Sequence, residues 1–219
     1  MLRGRSRLPL LAEISGPGDG RAWALRRGDF ENLREALNRL AGQRALAVVG
    51  EGETPAAAAI AIAAAASAAG RGTILVDCDL ARPKLAGSVG IAASPGLHEY
   101  LRWEAEPRDV LQPVSLAGAA AGDGTAQLVC FAAGRPAAKT ETLLGLQSFA
   151  HMVAKLRGAY ELVLLLAPPV LSEPAACLAV AAQADGVVAG EAKGSDRAVA
   201  KAIRRLPVPA LGSIVLAGS

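Results

Sequence analysis

Aromatic residues are scarce in this 219-residue chain, at 3%. With only three Phe, two Tyr and two Trp, the core cannot be built on large rings. The 52% hydrophobic content must instead be carried by Ala, Leu and Val, which implies close helix contacts through small side chains. Histidine is rarer still: His98 and His151 lie far apart with no cysteine or carboxylate pattern around them, which argues against a metal site. The three cysteines, Cys78, Cys130 and Cys177, are odd in number, and each sits in an apolar segment. They read as reduced core residues of a cytoplasmic protein rather than a disulfide framework. No run reaches the roughly 18 uninterrupted apolar residues of a membrane span without being dominated by alanine, and the best candidate, Pro55 to Ala69, is too short. A soluble protein is expected. The apolar run near the start, MLRGRSRLPLLAEISGPGDG, is too short for the core of a signal peptide, so no export signal is expected. Strong net charge is lacking too. The net +3 is a mild basic excess carried mainly near both ends (Arg3, Arg5, Arg7, Arg26, Arg27; Arg197, Lys201, Arg204, Arg205); such a bias can mean acidic lipid or nucleic acid, and here it reads best as an ordinary arginine-rich solvated surface.

What is present is organised around Ala45 to Gly70, ALAVVGEGETPAAAAIAIAAAASAAG, which reads as a buried strand, a glycine turn and a long apolar helix opened by a proline. This is the frame of a phosphate-binding loop. A working loop ends G-K-S or G-K-T, because the lysine neutralises the β/γ-phosphates, the hydroxyl holds Mg²⁺ and backbone N–H groups cradle the anion. Here the run is Gly50-Glu51-Gly52-Glu53-Thr54-Pro55. Glu53 stands where the lysine belongs, so two carboxylates are expected to face the triphosphate position, each like-charge contact working against binding by roughly 1–4 kcal/mol. Pro55 has no N–H to offer. Glu53 and Thr54 read best as helix-start residues favoured by the helix dipole. The loop predicts a nucleotide-binding architecture whose nucleotide chemistry has been removed.

The remainder alternates helix and strand. Residues 1–28 read as an N-terminal extension, with Leu8 to Ile14 a short extended segment lying against the body and Ser15 to Gly20 a loop. Residues 29–219 read as one P-loop NTPase-like α/β domain. From Asp29, Phe30, Leu33, Leu37 and Leu40 recur at helical spacing and Gly42 is a stop. A strand at about 44–49, helix 55–69 and strand Thr73 to Asp77 make a parallel crossover that leaves Asp77 and Asp79 at a carboxyl strand end, where open α/β sheets bind ligands. Residues 81–126 read as loop and short helices, with a Gly/Ala-rich surface loop near Gly118 to Gly124. Then follow strand Gln127 to Ala132, helix Thr140 to Arg157 and the central strand Leu162 to Leu166. Helix Glu173 to Gln183, strand Gly186 to Gly190, helix Ser195 to Leu206 and strand Leu211 to Leu216 complete a doubly wound, mainly parallel sheet. Trp23 and Trp103 read as packing residues.

Several motifs in order over residues 44–219 resemble the bacterial tyrosine kinases of capsule and exopolysaccharide biosynthesis. ILVDCDLARPKL is similar to the family's second aspartate motif, D-x-D-x-R followed by R-P. GIAASPGLHEYLRWEAEPRDVLQP is similar to the segment that follows it, and YELVLLLAPPVL to the Walker B strand that normally ends D-x-P-P-V-L. The tail from Ala184 resembles the last strand-helix-strand unit.

The departures from that pattern are ordered as well. Glu53 replaces the phosphate-binding lysine, Leu166 replaces the Walker B carboxylate, and Ala81 falls where the arginine after D-x-D would stand, with Arg82 beside it. The helix before the first core strand keeps Glu31 and Arg34 of the ring-forming E-x-x-R-x-x-R, but Leu37 takes the last arginine's place. Only Tyr100 and Tyr160 are available as phosphorylation targets. The resemblance therefore implies a catalytically degenerate accessory protein. It would be cytoplasmic and peripheral at the inner face of the plasma membrane, and would bind a membrane polysaccharide co-polymerase, with a homo-oligomer compatible and nucleic acid not expected. No catalytic residue is assigned beyond the vestigial Asp77 and Asp79, which read chiefly as strand-end anchors. The degenerate loop is Gly50, Glu51, Gly52, Glu53 and Thr54. Arg82, with Lys84 near it, is the candidate anion contact. No metal or cofactor is expected beyond weakly held ATP with Mg²⁺. The competing readings are an active ATP-dependent tyrosine kinase and a homologue of the MinD/ParA-type partitioning and pilus-localising ATPases.

Overall fold

The computed structural model describes residues 8–15, 26–115, 127–194 and 196–217. The Gly118 to Gly124 loop, Trp23, Ser195, Arg3, Arg5, Arg7 and most of the Ser15 to Gly20 loop lie outside the described residues.

Alanine decides the centre of the molecule. Helix α2 (Thr54–Ala68) is apolar on every side, so it has no face to give to water, and every residue from Pro55 to Ser67 is buried. One side lies on the sheet, and the other meets Leu33, Ala36 and Leu37 of the amphipathic α1 (Arg27–Arg39) and Leu40 just after it. The small side chains let the two helices and the sheet approach closely.

Among the described residues eight strands form one sheet, in the order β1-β8-β7-β2-β6-β3-β5-β4. They are β1 (Leu10–Ser15), β2 (Ala45–Gly50), β3 (Thr73–Asp77), β4 (Leu111–Ser115), β5 (Gln127–Phe131), β6 (Leu162–Leu166), β7 (Gly186–Ala192) and β8 (Ala210–Ala217). All pairings are parallel except β4 with β5. The continuous apolar run of β6 is central and wholly buried, between β2 and β3, as a strand covered on both faces must be. The second face carries its own core, built with α7 (Gln147–Ala159), α8 (Pro174–Ala181) and α9 (Arg197–Ile203). Among the described residues no helix is long and apolar enough to cross a membrane.

Four features depart from the sequence expectations or extend them. The Leu8 to Ile14 segment is built into the sheet as edge strand β1, parallel to β8. Strand β4 was not foreseen: it contains Pro113, which an edge strand tolerates because one side of its ladder is free. The single helix expected from Thr140 to Arg157 is two, α6 (Thr140–Leu144) and α7, because Gly145 ends the first and Leu146 is extended. Finally, Trp103 is 84% exposed, not a packing residue. It follows α4 (Leu97–Leu101) at φ +64°, where its N–H bonds the Tyr100 carbonyl and the Glu104 N–H bonds the Glu99 carbonyl, a helix ending that normally selects glycine.

Candidate nucleotide site

Strands β2, β6, β3 and β7 all point their carboxyl ends at one edge, and the loop after β2 lies there, as the doubly wound topology requires. Two glycines set its position. A Cβ added at Gly190 of β7 would lie 2.6 Å from the Pro55 Cα, and one at Gly50 would lie 2.6 Å from the Gly190 carbonyl oxygen and 2.8 Å from the Pro55 ring. Loop, proline and strand are thus in direct contact. Thr54 begins α2, and its hydroxyl donates inward to the Gly190 carbonyl at 3.0 Å, with the Glu51 carbonyl at 3.3 Å.

The two loop carboxylates have separate partners, which corrects the expectation that both face the triphosphate position. Glu51 turns to the segment after β6, where it accepts from the Leu171 N–H at 2.5 Å and lies 3.3 Å from the Ser172 hydroxyl. Glu53 is met by Lys84, whose Nζ is 2.9 Å from its Oε1 and donates to the Gly52 carbonyl at 2.6 Å. A lysine does enter the loop, but it comes from the segment after β3 and is spent on the loop's own oxygens. Arg82 pairs with Glu173 at 3.4 Å, and Glu173 also accepts from the Thr140 hydroxyl at 2.8 Å. Neither Glu173 nor the loop's dependence on Gly190 was foreseen, because both contacts join segments far apart in the chain.

Asp77 and Asp79 are buried, with 0% and 4% exposure. Asp77 accepts from the N–H groups of Asp79, Lys84 and Leu85 at 3.0–3.1 Å, and Asp79 from that of Arg82 at 3.1 Å. These bonds anchor the turn that delivers Lys84. Burial pushes the Asp77 carboxyl up to about 6 against the pull of its backbone donors, and burial likewise raises Asp79. Cys78 between them is buried, and burial lifts its thiol well above the usual range; burial also pushes Cys130 and Cys177 up to about 12. None is set up as a nucleophile.

The space left among Gly50, Gly52, Pro55, Asp79, Lys84 and Leu166 is about 10 Å³. That is room for about one water molecule. Leu166 is 3% exposed and lines this space beside the Pro55 ring. Among the described residues no group of three or more His, Cys, Asp and Glu side chains is placed to hold a metal ion.

No family model matches this chain, and no curated protein matches it in sequence. Its fold does match solved structures, and in class it is that of the P-loop NTPases. The chain is similar to the septum site-determining protein MinD of Pyrococcus horikoshii OT3, solved with Mg-ADP, at 16% identity and a TM-score of 0.60 over 78% of this chain and 69% of that one. Within the class, the chain is similar in fold to solved tyrosine-kinase domains. The kinase domain of the Escherichia coli tyrosine kinase ETK aligns at a TM-score of 0.79 and 16% identity, over 96% of this chain and 91% of that one. The chimerical protein CapA2B2 aligns at 0.78 and 16%, over 95% and 93%.

Proposed function

We propose that this chain is a catalytically degenerate relative of the bacterial tyrosine kinases that acts by binding. In this reading it is an accessory of capsule or exopolysaccharide biosynthesis and export, docking on a membrane polysaccharide co-polymerase at the inner face of the plasma membrane. The observation that carries the reading is the closed loop: Lys84 tied to Gly52 and Glu53, with Leu166 and Pro55 leaving about 10 Å³. Phosphoryl transfer works by positioning and charge neutralisation, and both are directed inward here.

Calorimetric titration of the purified protein with ATP and Mg²⁺ is expected to give no saturable heat at millimolar nucleotide, and incubation with ATP should leave its intact mass unchanged. A micromolar dissociation constant, or phosphate on Tyr100, would overturn the loss of nucleotide chemistry.

The docking half of the proposal is tested in the cell. Asp79→Asn keeps the oxygen that receives the Arg82 N–H. Polymer export should therefore be nearly unchanged in that variant, whereas charge reversal at exposed Arg34 and Arg197 should impair it in a salt-sensitive way. Loss of export in Asp79→Asn with protein still abundant would point back to a working metal carboxylate.

A further inference from the structure

A second acidic position lies away from the loop, on the opposite face of β7. Gly190 faces Pro55 and α2, so the next residue, Glu191, faces the other way. It is 9% exposed, and its Oε1 is buried with no hydrogen-bond partner among the described residues. Buried carboxylate oxygens are rarely left so, because the lost hydration has nothing to replace it. Register puts Glu191 in one row with Val215 of β8 and Glu13 of β1. These residues, with Leu8, Leu10, Lys193 and Ser213, line a cavity of about 220 Å³. Leu10 is 52% exposed there, which leaves an apolar wall facing solvent.

The outer edge of β1 is already covered: the carbonyls of Leu10 and Glu13 accept from Arg39 and Asn32 of α1, and the Ser15 N–H donates to Asp29. A partner adding a strand at this edge would have to displace those bonds, so the open approach is from the face.

We propose that this cavity receives an arginine side chain of a partner polypeptide. Three observations select that occupant. No described residue donates to the carboxylate, and a guanidinium supplies several donors in a planar fork. The apolar walls of Leu8, Leu10 and Val215 suit an aliphatic stem with its charge at the tip. The volume lies below the roughly 300 Å³ at which small-molecule pockets begin, so it fits one side chain better than a free metabolite. Among the described residues the cation that lines the cavity, Lys193, is turned to Glu13 at 3.6 Å and is 76% exposed, and it does not serve Glu191. The site lies on the opposite face of β7 from the nucleotide loop and does not depend on which protein the partner is.

The test uses a capped Ala-Arg-Ala peptide as probe, with backbone amide shifts of Ala192 and Gly194 as readout on the full chain. Saturable shifts are expected, weakening with salt. The isosteric citrulline peptide should give none, and free arginine amide should bind more weakly than the peptide. Glu191→Gln, with its amide spectrum otherwise retained, should bind about tenfold more weakly or worse. Lys193→Ala, a change at an exposed position, should bind at least as tightly as the unaltered protein. If Glu191→Gln does not fold, the arginine and citrulline comparison on the unaltered protein decides. Equal binding of the two peptides, no shift with arginine, or unchanged affinity in a folded Glu191→Gln would overturn the proposal. Tighter binding of free arginine amide than of the peptide would overturn the partner polypeptide as its source.

Discussion

Replacing Glu99 by alanine should lower the unfolding free energy by about 2–3 kcal/mol and the melting temperature by about 4–12 °C. The Glu99 side chain is 5% exposed. It accepts from the Gly96 N–H at 2.8 Å, the Arg135 N–H at 3.0 Å, the Arg135 Nε at 2.8 Å and the Ser94 hydroxyl at 3.2 Å. The ion pair itself is worth little, since Arg135 is 63% exposed and recovers water when its partner goes. The cost lies in the two backbone N–H groups, which lose their acceptor in a tight place. A Cβ at Gly96 would lie 2.3 Å from the Gly134 nitrogen, so the turn before α4 is pressed on the loop after β5 and has no slack with which to find other acceptors.

The pH dependence of this clamp has a definite sign. Burial alone would raise the Glu99 carboxyl, but its bonds to Arg135 and the Gly96 N–H outweigh that and hold it at about 2, against an ordinary 4.5. A group with a depressed folded value contributes fully above 4.5, and the contribution is lost as pH falls toward 2. Asp77 has the opposite sign. Its folded value near 6 lies above the ordinary 3.8, so its ionisation penalises the fold as pH rises through that interval and contributes no slope below it. The window below about 4 therefore reports Glu99 without Asp77. Urea midpoints of the unaltered protein should fall there, and those of Glu99→Ala should fall less steeply. Parallel curves would refute the assignment.

The fold was legible where one strong local signal and the tertiary role agree. Leu162–Leu166 reads as a doubly covered strand because its run of large apolar residues is too short for a buried helix and is bounded by Tyr160-Glu161 and Pro168-Pro169, and Thr73–Asp77 is bounded by its own Gly turn and aspartate. Legibility failed where context overrides propensity. Pro113 argues against a strand until the edge position is known, and an aromatic residue argues for burial until Trp103 is seen at a glycine-type helix ending. The candidate site divides the same way. That Glu53, Leu166 and Pro55 stand where the resemblance implies a lysine, a carboxylate and an N–H is written in the residue identities. That Lys84 would spend itself on Gly52 and Glu53, or that Glu51 would turn to Leu171, is not, because those contacts join segments 30 to 120 residues apart and exist only once the sheet order is set.

Placing a carboxylate at Leu166 should not create a nucleotide site: Leu166→Asp is expected to destabilise the protein by about 4 kcal/mol or more. Leu166 is 3% exposed, lies beside Asp77 in the β3–β6 register and packs in the same core as the alanines of α2. Its loss withdraws about 2–3 kcal/mol of apolar burial, and the new carboxylate is then desolvated beside Asp77 and Asp79, two carboxyls already raised by burial. The same reasoning sets a pH signature. Burial raises the folded pKa of the new group above its unfolded value, so the penalty is present above the folded value and disappears as pH falls below the unfolded one. The stability gap between Leu166→Asp and the unaltered protein should narrow toward about pH 4, while the uncharged Leu166→Asn should show a gap independent of pH. The decisive arm is added nucleotide. If the loop were competent and lacked only its metal carboxylate, ATP with Mg²⁺ at a hundredfold excess over its dissociation constant would return about 2.7 kcal/mol to Leu166→Asp. With Glu53 in the lysine position, Lys84 occupied and Pro55 offering no N–H, millimolar ATP and Mg²⁺ should leave the urea midpoint where it was. A nucleotide-dependent recovery in Leu166→Asp, absent from Leu166→Asn, would show that this loop still holds a triphosphate and would end the reading of it as closed.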